Sequence, residues 1–285
     1  MGTHKHFDPP FGAYALSAKR ERFRLSAQAC RDTRRGRWLA SFARKRAIKG
    51  LNEPFDVTVD KTFGVKARLY PSTNRCEKRA LCGVDIWDYG EREALRTHIE
   101  ERGTKQPYVF LDVGANVGLY SLFAHGYAMH AEQDIRLIAI EPSAEMGERL
   151  CVNARASQAN IELKRYAIAA EAGEVFLSDG DGNRGEGQLA DNGEPVTALT
   201  LLQLCENQGI TRIDGLKMDI EGQDLAALTQ FFSQAPESLH PNMMILEIDE
   251  TSRKPLIELA QANNYLIVTR TRTRMNIVVT KQDLT

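Results

Sequence analysis

Two acidic residues, one just ahead of a glycine turn and one at the end of the next apolar run, are where this chain could handle a nucleoside. The first lies in Tyr108-Val-Phe-Leu-Asp-Val-Gly-Ala-Asn-Val-Gly118, the second in Ile138-Ala-Ile-Glu-Pro142. Strand, turn, helix and second strand in that order make a nucleoside-binding βαβ unit. Gly114, Ala115, Asn116 and Gly118 form its turn. Glu141, followed by Pro142, stands where a ribose diol would lie. A dinucleotide fingerprint offers helix N-terminal amides to a pyrophosphate, and a carboxylate at Asp112 would repel that anion. Asp112 suits a ligand with no phosphate, an amino group and a sulfonium. The expected cofactor is therefore S-adenosylmethionine, with Asp112 toward its cationic end and Glu141 toward its ribose hydroxyls.

A second group of charges follows in Leu216-Lys-Met-Asp-Ile-Glu-Gly222. In a strand, Lys217, Asp219 and Glu221 fall on one side and Leu216, Met218 and Ile220 on the other. Charges on a doubly covered strand are costly unless paired or used. The run Met243-Met-Ile-Leu-Glu-Ile-Asp249 adds Glu247 and Asp249. Carboxylates beside a methyl donor could deprotonate an acceptor hydroxyl, hold a sugar by paired hydrogen bonds, or bind a divalent cation. The expected base is Asp219 or Glu221, with Glu247 positioning the acceptor and Lys217 holding the carboxylates. A cation would use Asp219, Glu221 and Glu247, but no metal centre is predicted. His98, His125 and His240 read as helix-surface or loop residues, and Tyr120 and Ser121 as the start of a helix packed near the cofactor.

These residues need a parallel sheet to bring them together. Apolar runs at 108–113, 135–140, 160–165, 214–220 and 243–248 alternate with helical patterns near 117–129, 143–155, 222–233 and 253–262. A short strand is expected at 174–178 and a closing hairpin at 265–269 and 275–280. The implied fold is α/β, a mostly parallel seven-stranded sheet with helices on both faces, whose ligands gather at the carboxyl ends of the strands. Ahead of it, period-two patterns at 55–59 and 65–70 predict a hairpin, and 87–101 predicts a helix. The expected division is 1–52 as a basic helical arm, 53–105 as the hairpin and helix lead-in, and 106–285 as the cofactor-binding domain. The acidic, glycine-rich 179–188 reads as a lid over the acceptor.

The net charge of −1 hides an asymmetry. Residues 1–50 hold 13 Lys and Arg against 3 acids, and the rest holds 24 against 35. Phe23, Leu25, Trp38, Leu39 and Phe42 are interspersed among the arm's cations at 19–49. Such helices suit an anionic membrane surface, a polyanionic substrate, or the acidic body of the same or a second subunit. Nucleic acid is disfavoured, because no aromatic-rich reading surface follows. Asp8-Pro-Pro-Phe11 reads as a proline-rich terminal arm. Five scattered cysteines, without metal-type spacing, fit reduced thiols in the cytosol. No run reaches the length of a membrane span. The expected location is cytoplasmic, peripheral to the inner face of a membrane if the arm docks there.

Taken together, the chain resembles the FkbM-type family of S-adenosylmethionine-dependent methyltransferases. The matching stretches are Phe110–Ser121, Ala139–Pro142 with Leu150–Asn153, Val196–Leu202, Leu216–Gly222 and Ile245–Ile248. The resemblance implies a class I methyltransferase fold and O-methylation of a hydroxyl on a sugar, glycolipid or polysaccharide. Polyketides and other small natural products are the alternative acceptors, and a non-catalytic binding protein that docks by its arm is the alternative function. Family patterns carry His near position 249, where this chain has Asp249. The basic arm lies outside the resemblance.

Overall fold

A computed structural model describes residues 7, 9–51, 54–81, 83, 85–102, 106–178, 188–190, 193–220, 222–270 and 276–282. The arm forms two helices, α1 (Ala18–Gln28) and α2 (Arg34–Ile48). Thr33 starts α2 by accepting the Gly36 amide, a cap that satisfies one of the first orphan donors. Small residues on α2, Ala40 and Ala43, pack on Ala27 of α1. The hairpin follows as β1 (Phe55–Asp60) and β2 (Val65–Leu69), antiparallel with Phe55 opposite Leu69. Arg68 is buried, pairing with Asp56 at 2.7 Å and donating to the carbonyls of Pro9 and Pro10. The proline-rich terminal segment is thereby tied to the hairpin. Next come a short helix α3 (Arg75–Ala80), unforeseen in the sequence, and α4 (Tyr89–Arg102).

The sheet expected from 106 onward is present. Its strands are β3 (Tyr108–Val113), β4 (Ile135–Ile140) and β5 (Ile161–Lys164), separated by α5 (Leu119–His130) and α6 (Ala144–Ser157). A small four-stranded sheet is inserted next: β6 (Ala167–Ile168), β7 (Gly173–Ser178), β8 (Gln188–Ala190) and β9 (Glu194–Leu199). Only β7 was expected; the residues 179–187 assigned to a lid lie outside those described. Then follow α7 (Leu201–Asn207), β10 (Gly215–Met218), α8 (Asp224–Gln234), β11 (Met243–Glu247), α9 (Arg253–Ala262), β12 (Tyr265–Arg270) and β13 (Asn276–Lys281). The large sheet runs β12-β13-β11-β10-β3-β4-β5, parallel except for β13, which is antiparallel to both neighbours. The strand expected over 214–220 stops at Met218, where the Asp219 amide bonds Val113 and the chain leaves the ladder.

Alternation along β3 splits the core. Phe110 faces a layer with Leu95, Ile99 and Phe123, while Leu111 and Val113 face one with Leu204, Leu228 and Phe231. Both faces are covered, so the central strands are continuous apolar runs. Helix α5 is buried on nearly all sides, because the hairpin packs over it, with Phe63 set edge-on to Tyr127 at 4.6 Å. Such all-round burial explains why its pattern is apolar rather than amphipathic. Among the described residues no helix is long and apolar enough to cross a membrane.

Candidate active site

The carboxyl ends of β3, β4, β10 and β11 meet around a cavity of about 370 Å³, at the lower end of the range of about 300–1,000 Å³ common for small-molecule sites. The turn after β3 forms one wall. Gly114 (φ +71°), Asn116 (φ +52°) and Gly118 (φ +80°) take left-handed backbone there. A Cβ on Gly114 would collide with the Asp219 carbonyl oxygen, and one on Gly118 would press on Leu150. At both positions the backbone comes close to neighbouring protein. Gly118 lies off the cavity wall, whereas Gly114, Ala115 and Asn116 line it.

Asp112 is buried behind this turn, off the wall. Its Oδ2 accepts from the Ser121 amide at 3.0 Å and from the Ser121 hydroxyl at 2.7 Å. The N-cap of α5 is Gly118, which has no side chain to cap with. A carboxylate reaching across from the strand tip does that work. Asp112, expected toward the cofactor's cationic end, here positions α5 through Oδ2, and its Oδ1 has no hydrogen-bond partner among the described residues. Burial raises its pKa, and Lys217 opposes the rise.

Glu141 and Pro142 line the cavity. Glu141 accepts the Asn116 amide on Oε2 at 2.8 Å and the Ser143 amide on Oε1 at 2.9 Å. Each oxygen keeps capacity for a further donor. Burial pushes its pKa up to about 7, against the pull of those two amides. The amides of Gly114 and Ala115 go to the Ile140 carbonyl, that of Gly118 to Ala115 and that of Ser121 to Asp112. The cavity offers Ile140, Met146, Tyr166 and Ile168 as an apolar surface and Glu141, Asp219 and Glu247 as carboxylates, a lining that suits a nucleoside.

Lys217 ties the two charged regions together. Its Nζ donates to the Gly114 carbonyl at 2.9 Å and to Asp219 Oδ2 at 3.2 Å. Burial would lower the ammonium's pKa, but Asp219 and Asp112 outweigh it and raise it. Asp219 is bonded to Glu247, side chain to side chain, and two carboxyls bonded in this way share one proton. Burial pushes the Asp219 pKa up, yet Lys217 and the bond from Glu247 bring it below the usual carboxylate range. Asp219 is 36% exposed, and the exposed part opens on the cavity.

Glu221 lies outside the described residues. Among those described, no three His, Cys, Asp or Glu side chains are placed to hold a metal ion. Asp249 is off the cavity wall and accepts the amides of Thr251 and Ser252 at 2.6 and 2.7 Å. Those bonds hold its pKa near about 2 and make it a turn cap, removing it from the candidate bases. His98, His125 and His240 do not line the cavity either. His98 shares a 2.7 Å hydrogen bond with Tyr108, and burial lowers its pKa to about 4.

One wall was not foreseen. Asn74, Arg75, Cys76 and Arg79 from the start of α3, with Trp87 and Asp88, line the cavity together with Glu141 and Asp219. Asn74 donates to Asn116 Oδ1 at 2.7 Å and also caps α3 by accepting the Glu77 amide. Asp88, at φ +44°, takes hydrogen bonds from Arg79 at 2.9 Å and Tyr120 at 3.3 Å. Asn276 of β13 lines the same space and donates to Glu91 at 2.8 Å. Asn74 followed by Glu77 was a legible helix-start signal. Nothing in the sequence showed that this helix faces the cavity.

Comparison with known proteins settles the family. Residues 112–266 match the model of the Methyltransferase FkbM domain. The chain belongs to the FkbM methyltransferase family. This FkbM protein is accordingly an S-adenosylmethionine-dependent methyltransferase, and its sheet order is that of class I enzymes. Similar solved structures include the ribosomal protein L11 methylase of Lactobacillus delbrueckii subsp. bulgaricus, at 16% identity and TM-score 0.40 over 67% of this chain and 79% of that one. A SAM-dependent methyltransferase from Agrobacterium tumefaciens has 12% identity and TM-score 0.46 over 81% and 70%. M. jannaschii TYW2 in complex with AdoMet has 13% identity and TM-score 0.38 over 81% and 85%. No curated protein matches this FkbM chain.

Proposed function

We propose that this protein O-methylates a hydroxyl of a sugar, glycolipid or polysaccharide, with Asp219 as the base. One observation carries the reading: an ionised carboxylate, fixed by Lys217, opens on the cavity beside the cofactor turn. S-adenosylmethionine, when bound, supplies an activated methyl group on a sulfonium. An alcohol is a poor nucleophile, so its proton must leave as the new bond forms. Asp219 Oδ accepts that proton, and Lys217 Nζ keeps the carboxylate in place through the change. Glu247, bonded to Asp219 and lining the same cavity, positions the acceptor. Asn276 and Asp88 add polar groups for neighbouring hydroxyls, as a polyol requires. Glu141 receives the cofactor's ribose hydroxyls. The protein's remaining contribution is alignment of the acceptor and exclusion of water.

Incubating the full chain with labelled cofactor and a panel of glycans, glycolipids and small polyols tests this. A gain of one methyl group on an oxygen is the expected product. Methylation confined to nitrogen or carbon would overturn the assignment, as would calorimetry showing no binding of S-adenosylhomocysteine.

A further inference from the structure

The two arm helices carry a surface that methyl transfer does not use. On α2, Gly36, Ala40, Ala43 and Ala47 are buried, while Trp38, Leu39 and Phe42 are 68%, 49% and 47% exposed. A helix stabilised only by its fold and water would have the reverse pattern, with its large apolar residues inside. Trp38 and Phe42 stack at 6.1 Å, and the Arg46 guanidinium lies over Phe42 at 4.9 Å. Arg34 and Arg35 are exposed at one end of this stripe and Lys45, Arg46 and Lys49 at the other, with Lys19, Arg22 and Leu25 exposed on α1.

We propose that this face seats the protein on an anionic lipid surface. Trp38, Leu39 and Phe42 enter the headgroup boundary while the flanking cations meet the lipid anions. An apolar strip bordered by Lys and Arg, with an aromatic ring at its centre, complements both layers of such a surface. Face-to-face pairing of two copies would instead set cation against cation, whereas the cores of homodimer interfaces are depleted in charge. The position of the arm adds a consequence. Ile86 packs on Ala27, Ala40 and Ala43, and Arg44 donates to the Lys78 carbonyl of α3 at 3.4 Å. Since α3 also supplies Arg75, Cys76 and Arg79 to the cavity, docking brings lipid close to that wall. The inference goes beyond the methyl-transfer reading and holds for any acceptor.

The test mixes the full chain with phosphatidylcholine vesicles, with and without phosphatidylglycerol, and follows co-sedimentation and tryptophan emission. The protein has two tryptophans, and Trp87 is only 2% exposed, so a spectral change reports Trp38. Sedimentation with the anionic vesicles alone, a blue shift, and release at high salt are expected. R34A/R35A should weaken partitioning about thirtyfold, and L39S/F42S about tenfold, with S-adenosylhomocysteine binding intact in both. No binding to anionic vesicles overturns the proposal. So does binding without a blue shift, arm-dependent self-association in the absence of lipid, or displacement from vesicles by an RNA oligonucleotide.

Discussion

Lys217 donates to the backbone carbonyl of Gly114 at 2.9 Å while holding Asp219 at 3.2 Å. One ammonium thus locks the cofactor turn after β3 to the proposed base after β10. The same two segments are interlocked a second time, because Gly114 leaves only enough room for the Asp219 carbonyl. Cofactor site and base cannot move independently.

Replacing Lys217 by Met should therefore do more than remove one charge. Buried Asp112 and partly exposed Asp219 would lose their compensating cation, at a cost of about 1–3 kcal/mol, below that of a fully buried pair because solvent screens Asp219. Urea unfolding measures it. The double variant K217M/D219N should lose less than the sum of the single variants, since the residues are in contact. Strict additivity would show that the pair is not coupled.

Asp219→Asn keeps the shape and removes the base. The turnover number on the best acceptor should fall about 10²–10⁴-fold, while the affinity for S-adenosylhomocysteine stays essentially unchanged. Unaltered turnover would move the base to another group, with Glu221 the first to examine.

The Glu141 pKa, raised to about 7 by burial, makes cofactor affinity depend on pH. The ribose hydroxyls donate to the ionised form, so protonation competes with binding. Affinity should rise with pH up to about 7 and level off above it, with a limiting slope of about tenfold per pH unit. In Glu141→Gln the affinity should be weak and the slope absent. Calorimetry at several pH values decides, and a slope that survives in the variant would refute the assignment.

Gly114 and Gly64 adopt nearly the same backbone, φ +71° and +69°, but only Gly64 has open space around it. Gly64→Ala should cost about 1–2 kcal/mol, the strain of the left-handed conformation alone. Gly114→Ala adds a collision with backbone and should cost distinctly more, with loss of S-adenosylhomocysteine binding. Thermal melts of the two variants separate strain from collision; equal losses would mean that the Asp219 carbonyl yields freely.

Much of this protein was legible from the chain alone because its signals are periodic and local. Buried strands such as Ile135–Ile140 are unbroken apolar runs, and the acidic residues at the strand tips mark where a parallel sheet gathers ligands. The helices at 144–157 and 253–262 and the closing hairpin also follow from pattern. Short elements gave less signal: α7 spans seven residues and begins with a Thr200–Gln203 capping box, and α3 is a six-residue polar segment.

What the sequence determined by itself is the order of strands and helices in the large sheet, the turn after β3, and which carboxylates reach the strand tips. These depend on residue type and spacing within single segments. Only the tertiary structure decided that Asp112 caps α5 behind the turn, that Glu247 meets Asp219, and that α3 forms a wall of the cavity. Each of those depends on segments separate in the chain coming together, and no local spacing encodes that.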